Sequence, residues 1–348
     1  MSNVESLSRA HRAAEPALRH GPEYVVREGI LEIPGELALY HGASLAGARI
    51  AWRIIGPPAA PVVCALGGIS AHRRVCGTDD PRDSWWSEFA GSGRPLDLDR
   101  FRVLSFDFIG GSGESTAPAP GGEFPSISTY DQAEALARLL DHLGIKSLRA
   151  FAAGSYGGMV ALAFAERHPD RVGHLLVIGA SDRAHPMATA WRSLERRIAR
   201  LGLASGQPAE ALELARALAM TTYRTGEEFA ARFAGRPSRE DGRFVFPVER
   251  YLLARGRSYA ARHRPESFLC LCESLDLHQV NAARIFVPTS AVAVREDLLV
   301  PLADVRAMVA RLPAGRLHEI SSVYGHDAFL KEAELLRAVF ASALGSGA

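Results

Sequence analysis

The stretch FAAGSYGGMVALAFAERHPDRV, residues 151 to 172, decides the fold. It begins as a short apolar run, breaks at glycine and serine, and continues with apolar residues at helical spacing until Pro169. A serine among small residues at a strand-to-helix break is typical of a nucleophile elbow, a sharp turn that exposes a hydroxyl above a sheet. The usual pattern is G-x-S-x-G, and here Ala153 takes the first position. The alternative is that Ser155 is only a helix N-cap.

Composition and charge point to a small-molecule partner. The 348 residues include 40 Lys plus Arg and 39 Asp plus Glu, so the net charge of +1 creates no field that would attract nucleic acid or a membrane surface. The spacing of the four cysteines matches neither a disulfide framework nor a zinc site, so we expect reduced thiols and no bound metal or cofactor.

The N-terminus suggests a protein that stays in the cytoplasm. The segment MSNVESLSRAHRAAEP lacks the apolar core of a signal peptide, and no stretch approaches 18 uninterrupted apolar residues. We therefore expect a soluble chain that is not exported.

Short apolar runs without strict alternation recur along the chain and suit strands buried on both faces of a parallel sheet. They span residues 62–68, 102–108, 148–154, 174–181, 289–294 and 317–322. Between two of them, residues 129–143 form an amphipathic pattern that begins with Thr129 and Gln132 at capping-box spacing and stops at Gly144. Alternating strands and helices predict an α/β fold with right-handed crossovers and a sheet covered on both sides.

The alternation fails between about 183 and 284, where four helical patterns follow one another with no strand between them. Such a block inside an α/β sheet predicts an inserted helical cap or lid. The chain then divides into a flexible N-terminal segment (1–22), a first core part (23–182), the insertion (183–284) and a second core part (285–348). We expect an antiparallel entry hairpin within residues 23–55.

A serine nucleophile needs a base and a group that orients the base, and in this fold the chain order is Ser, acid, His, each after a strand. The loop after the run at 289–294 offers Glu296 and Asp297, of which Asp297 is preferred because it lies where the loop turns toward the next helix. His326 follows the last strand. The other histidines, among them His72, His168 and His318, lack the required position.

The negative charge of an acyl-transfer intermediate requires N–H donors. We expect one from the backbone of Tyr156 and the other from Gly67, in the loop Leu66, Gly67, Gly68 and Ile69 that would border the substrate pocket. Alternatively these glycines serve only a tight turn. The glycine-rich stretch at 107–115 lacks the lysine of a phosphate-binding loop and is interpreted as a loop beside the pocket.

From about residue 35 to the end, the chain resembles the homoserine O-acyltransferase family of the α/β-hydrolase fold, and within it the short members that use succinyl-CoA. The resemblance implies a homodimeric enzyme of methionine biosynthesis. The stretches that carry it are LGGISAH (66–72), SYGGMVAL (155–162), AWRSLERR (190–197), LARALAMTTYRTGEEF (214–229), REDLLVP (295–301) and GHDAFLKE (325–332).

This resemblance implies a ping-pong mechanism in which Ser155 takes an acyl group from acyl-CoA and passes it to the hydroxyl of L-homoserine. It further implies that Arg216 binds the substrate carboxylate and Asp327 its ammonium, with Arg224 in reserve for the carboxylate. The alternatives are a helix-surface charge for Arg216 and a helix N-cap for Asp327.

The acyl donor depends on one extra carboxylate, which succinyl carries and acetyl does not. Family members that use acetyl-CoA tend to have asparagine where this chain has Arg192, so Arg192 is the candidate for reading the succinyl carboxylate; the alternative is a solvated charge. Acetyl-CoA as donor, L-serine as acceptor, a hydrolase of the same fold and a catalytically silent binding protein remain open.

Overall fold

The computed structural model describes residues 24–77 and 83–345, so the expected flexible segment 1–22 lies outside the described residues. The strands are β1 Val25–Glu32, β2 Glu36–Ala38, β3 Ser44–Ala46, β4 Arg49–Gly56, β5 Val62–Leu66, β6 Ala90–Gly91, β7 Leu96–Asp97, β8 Arg102–Phe106, β9 Ala150–Gly154, β10 Leu175–Ile178, β11 Ser238–Glu240, β12 Arg243–Val245, β13 Thr289–Val294 and β14 Gly315–Ile320. The helices are α1 Thr129–His142, α2 Tyr156–Arg167, α3 Pro186–Ser205, α4 Pro208–Tyr223, α5 Gly226–Phe233, α6 Pro247–Ala260, α7 Pro265–Asp276, α8 Leu302–Val309, α9 Ala328–Lys331 and α10 Ala333–Leu344.

Eight strands form the central sheet, in the order β1-β4-β8-β5-β9-β10-β13-β14. The six strands from β8 to β14 pair in parallel, while β4 pairs antiparallel with β8 and with β1. Five of the six apolar runs identified in the sequence contain one of the parallel strands, and the sixth, 317–322, overlaps β14, which begins two residues earlier. The expected α/β fold with a mostly parallel sheet is confirmed.

The sheet is buried on both faces, which explains why its strands show no strict alternation. In β10, Leu175 and Val177 belong to one hydrophobic cluster and Leu176 and Ile178 to the other. Helices α1 and α2 contribute to the first cluster and α10 to the second. The carboxyl ends of the parallel strands therefore open at one rim, where loops carry functional groups.

Helix α1 begins differently from the prediction. Its capping box consists of Ser128 and Asp131, one residue earlier than the expected Thr129 and Gln132. The Gln132 side chain instead bonds the backbone N–H and carbonyl of Ile109, at 3.0 and 2.7 Å. Local spacing predicted that the Gln132 side chain caps the helix, but this side chain bonds a residue outside the helix instead.

Helices α3 to α7 lie between β10 and β13, within the range expected for the insertion. The prediction that no strand interrupts these helices is wrong, because β11 and β12 pair as a small antiparallel ribbon. Its turn contains Asp241 and Gly242, with φ values of 45° and 83°. Asp-Gly with both residues at positive φ is a favoured two-residue hairpin turn, so the signal was present in the sequence.

His278 ties the end of the insertion to the core, and its burial is expected to make the fold less stable in acid. Its ring bonds Thr129 Oγ1 at 2.8 Å and donates to the Ser181 carbonyl at 3.1 Å. Burial lowers the pKa of His278 to about 4. Because the unfolded chain binds this proton more readily, the contribution of His278 to stability is complete above pH ~6.5 and is lost as the pH falls toward 4.

We expect this residue alone to cost about 2 kcal/mol of unfolding free energy between pH ~7 and ~4.5. Urea unfolding of wild type and His278→Gln at both values measures the difference, and the variant should lose less stability on acidification. His41→Gln, at an exposed histidine, is the control and should behave as wild type. Equal acid sensitivity of His278→Gln and wild type contradicts the assignment.

Candidate active site

Ser155 occupies the turn between β9 and α2 in a strained conformation, with φ 54° and ψ −126°. Among the described residues other than glycine, only Asp241 also has a positive φ. The Ser155 side chain makes no capping hydrogen bond to α2, so the N-cap alternative finds no support. A strained backbone that turns a hydroxyl away from its own helix is the geometry of a nucleophile elbow.

Close packing explains the small residues around Ser155. A Cβ at Gly157 would lie 2.6 Å from the Leu66 carbonyl group, and one at Gly154 would lie 2.4 Å from the Phe329 ring. Ala153 is fully buried in β9, where its methyl group is accommodated. Positions 154 and 157 are therefore the ones where a side chain would clash. Position 153, where alanine replaces the usual glycine, has room for a methyl group.

His326 connects Ser155 with Asp297. Its Nε2 lies 2.9 Å from Ser155 Oγ, and its Nδ1 lies 2.7 Å from Asp297 Oδ2. The other oxygen of Asp297 accepts backbone N–H bonds from Leu299 and Val300, at 2.8 and 3.0 Å. Three elements of the sheet rim thus bring Ser155, His326 and Asp297 into one hydrogen-bonded chain.

Glu296, the acid that the sequence offered beside Asp297, faces elsewhere. Its carboxylate accepts from the Ser322 backbone N–H at 2.9 Å and from the Ser321 hydroxyl. It therefore holds the loop that leads to His326 instead of contacting the ring.

The surroundings of His326 favour its acceptance of a proton. Burial alone would lower the pKa of His326, but the Asp297 carboxylate beside Nδ1 outweighs burial and the pKa is raised. Because Asp297 accepts at Nδ1, Nε2 of the neutral ring is left to accept the Ser155 proton.

Backbone N–H groups lie next to Ser155. The Tyr156 N–H begins α2, and within the described part of the chain no acceptor is recorded for it. Gly157 N–H donates to the Gly67 carbonyl at 2.8 Å, which fixes the loop after β5 against the elbow. A Cβ at Gly68 would lie 3.9 Å from Ser155 Oγ, so this loop approaches the hydroxyl closely.

A cavity of ≈ 160 Å³ opens at Ser155 and His326. From the loop after β5, Gly68 and Ile69 line it, whereas Leu66 is buried beneath Gly157. The helices of the insertion supply much of the remaining wall, with Arg192 and Glu195 on α3, Arg216 and Tyr223 on α4, and Cys272 and Leu275 on α7. The Ser155 hydroxyl therefore faces a chamber formed jointly by the sheet rim and the insertion.

Arg216 points its guanidinium into this cavity without a carboxylate partner. Nη1 donates to Tyr223 Oη at 3.0 Å, and the group lies 4.9 and 4.8 Å from the ring centres of Tyr223 and Tyr259. No carboxylate of the described residues lies within 4.0 Å of it. An aromatic cradle that leaves the cation unpaired suits a site for an anionic ligand group.

Asp327, next to the base, also lines the cavity. Its carboxylate makes no capping bond to α9 but accepts from Arg224 Nε at 3.0 Å. Arg224 is further paired with Glu228 at 2.6 Å. Arg224 is thus paired with two carboxylates. Of the two arginines considered for a ligand carboxylate, Arg216 is the one without a carboxylate partner.

Arg192 lines the cavity and is 8% exposed. Its Nε and Nη2 donate to Asp276 Oδ1 at 2.8 and 2.6 Å, so the charge is shared with a carboxylate on α7. Arg196 binds the other oxygen of Asp276. The Arg192 side chain is therefore buried and paired, and the alternative of a solvated charge is wrong.

Sequence reasoning missed Glu195, a cavity residue one turn after Arg192 on the same helix face. The (i, i+3) spacing from Arg192 was the available signal. Among the described residues, no cluster of His, Cys, Asp or Glu side chains is arranged to hold a metal ion. Within the same ranges no helix is long and apolar enough to cross a membrane.

The chain is similar in sequence to known proteins. A family model described as alpha/beta hydrolase fold matches residues 61–333. A homoserine O-succinyltransferase from Xanthomonas campestris pv. campestris is 44% identical over 298 residues, covering 85% of this chain and 79% of the relative. A homoserine O-acetyltransferase from Symbiobacterium thermophilum is 32% identical and covers 86% and 89% of the two chains.

The shared fold extends to a solved structure. The homoserine O-acetyltransferase from Bacillus anthracis superposes with a TM-score of 0.84 over 92% of this chain and 98% of that one, at 17% sequence identity.

Proposed function

The chain belongs to the homoserine O-acyltransferase family of the α/β-hydrolase fold, and on that premise we propose that it transfers a succinyl group from succinyl-CoA to the hydroxyl of L-homoserine. The products are CoA and O-succinyl-L-homoserine, an activated intermediate for methionine biosynthesis. The observation that carries this proposal is that the cavity at Ser155 also contains an unpaired guanidinium, Arg216, and a carboxylate, Asp327. An amino acid requires one cation and one anion.

In the first half-reaction, His326 Nε2 removes the Ser155 proton as Oγ attacks the thioester carbonyl. The Tyr156 N–H and an N–H of the Gly67–Gly68 segment stabilise the oxyanion. His326 then gives its proton to the departing CoA sulfur, and the succinyl group remains as an ester on Ser155. Asp297 holds the ring tautomer and stabilises the imidazolium.

In the second half-reaction, the homoserine hydroxyl takes the place of CoA. Arg216 holds its α-carboxylate and Asp327 its ammonium, so that the hydroxyl approaches the ester carbonyl beside His326. His326 removes the hydroxyl proton and returns it to Ser155 Oγ as the ester bond breaks. The proton that left Ser155 with CoA is thereby replaced by the proton of the homoserine hydroxyl, and the enzyme returns to its starting state.

Acyl transfer in water requires that the acyl-enzyme be shielded until the alcohol arrives. We propose that the insertion at 183–284 acts as the lid. The cavity-lining side chains of α3, α4 and α7 support this role. Free cysteines at all four positions support a reducing, cytoplasmic compartment. Exposed Leu194, Leu201 and Leu214 on α3 and α4 support homodimer formation through the insertion.

The choice of succinyl-CoA as donor depends on Arg192. We propose that this residue contacts the terminal carboxylate of the acyl group. CoA release is measured with succinyl-CoA or acetyl-CoA against homoserine or serine, for wild type, Arg192→Asn and the control Arg200→Asn. Arg200 is an exposed arginine of the same helix and is not part of the cavity wall. We expect wild type to prefer succinyl-CoA with homoserine, and Arg192→Asn to reduce that donor preference about 10- to 100-fold.

Four results contradict the proposal. Unchanged donor preference in Arg192→Asn removes Arg192 from the donor site, and wild-type preference for acetyl-CoA makes the enzyme an acetyltransferase. Equal CoA release with and without the amino acid indicates hydrolysis. Serine outperforming homoserine would change the acceptor and leave the chemistry at Ser155 intact.

A further inference from the structure

Glu195 is a buried carboxyl group that the mechanism above does not use. It is 4% exposed and lines the cavity. Among the described residues, no hydrogen bond or ion pair to its carboxyl group is recorded, although buried polar groups are nearly always paired. A carboxyl group that faces a ligand cavity without a protein partner is available to a polar group of the ligand.

The charged groups around Glu195 determine which ligand groups can bind beside it. Its neighbours from all packed elements are Arg192 and Arg196 on α3, Arg216 and Tyr223 on α4, Tyr259 on α6, and Cys272 and Asp276 on α7. Of these cations, Arg192 has the largest effect on the pKa of Glu195, Arg216 the next and Arg196 the smallest.

The corner formed by Arg192, Arg196 and Asp276 contains two guanidinium groups and one carboxylate. When Glu195 is protonated, the corner has one uncompensated positive charge and suits one ligand carboxylate. When Glu195 is ionised, that charge is cancelled, and a ligand carboxylate would meet a second carboxylate in a buried space.

The chemistry of Glu195 allows the protonated form near neutral pH. Burial raises its pKa to about 7, although Arg192 and Arg216 oppose the shift. A protonated carboxyl group donates one strong hydrogen bond, and two carboxylates that share a proton are a recurrent arrangement in active sites.

We propose that protonated Glu195 donates a hydrogen bond to the terminal carboxylate of the succinyl group beside Arg192, so that succinyl-CoA is selected by the protonated enzyme. This inference rests on the proposed succinyl transfer. Enzyme in which Glu195 is ionised takes up one proton from solvent as the donor binds, and the proton is released after the succinylated product leaves. Acetyl-CoA has no terminal carboxylate and binds without this proton.

The test is the ratio of kcat/KM for succinyl-CoA to kcat/KM for acetyl-CoA, measured from about pH 6 to about pH 8.5. Titration of His326 affects both donors equally and cancels in the ratio. We expect the wild-type ratio to fall about tenfold for each pH unit above the pKa of Glu195.

Glu195→Gln keeps the shape and a hydrogen-bond donor but cannot ionise, so its ratio should not change with pH. Glu227→Gln, at an exposed glutamate of α5, is the matched control and should retain the wild-type slope. A thermal unfolding curve shows whether each variant is folded.

A wild-type ratio that is independent of pH overturns the inference without recourse to any variant. A sloping ratio that persists in Glu195→Gln overturns it as well, because another group must then titrate. These results differ from failure of the proposed function, in which wild type transfers no succinyl group to homoserine at any pH; the inference then fails with it.

Discussion

Replacing Ser155 by alanine is expected to lower kcat/KM for acyl transfer to homoserine by about 10⁴-fold or more. The hydroxyl lies 2.9 Å from the base, and a methyl group offers no nucleophile to carry the acyl group. CoA release measures the rate. Intact-protein mass spectrometry without homoserine measures the intermediate, and wild type should gain the mass of one acyl group whereas Ser155→Ala should gain none.

Ser70→Ala is the control, because Ser70 is a second hydroxyl on the wall of the same cavity. Its activity should stay within about tenfold of wild type. Ser155→Ala that still accumulates an acyl-enzyme would place the nucleophile elsewhere. Substantial transfer without any covalent intermediate would replace the ping-pong scheme with direct transfer.

Replacing Asp297 by asparagine is expected to lower kcat by about 10⁴-fold with little change in folding. An amide retains the size of the side chain, but it no longer fixes the His326 tautomer or stabilises the imidazolium. Steady-state rates over a range of pH measure the effect.

The pH profile distinguishes this role from simple disruption. His326 must be neutral to act as a base, so activity falls as the pH drops through its pKa, which Asp297 raises. Without the carboxylate, burial lowers the pKa of His326, and the acid limb should move to lower pH in Asp297→Asn. Glu296→Gln, one residue earlier, should leave the limb where it is. A limb that stays in place in Asp297→Asn, or moves in Glu296→Gln, contradicts the assigned acid.

The sequence predicted the positions of Ser155, Asp297 and His326 because each follows a strand, and strand ends in a parallel sheet meet at one rim. Chain order and short apolar runs are local signals, and they were sufficient for the sheet. The roles of these side chains remain predictions that the kinetic experiments test.

Glu195 could not be found in the same way. Its surroundings come from α3, α4, α6 and α7, and periodicity identifies these helices without fixing which faces meet. The start of α1 illustrates the same limit at smaller scale. Thr129 and Gln132 have capping-box spacing, but the Thr129 side chain bonds His278 and the Gln132 side chain bonds Ile109. Residues that depend on packing between elements are those that sequence reasoning placed least well.

Tyr156 follows the nucleophile directly, and its buried hydroxyl lies 2.6 Å from Ser274 Oγ on α7. The residue that we propose as an N–H donor to the reaction is thereby anchored to the insertion as well as to the sheet. We therefore expect the position of the elbow to depend on the insertion. A chimaera with a foreign insertion is expected to need a hydroxyl at position 274 to keep Ser155 in place.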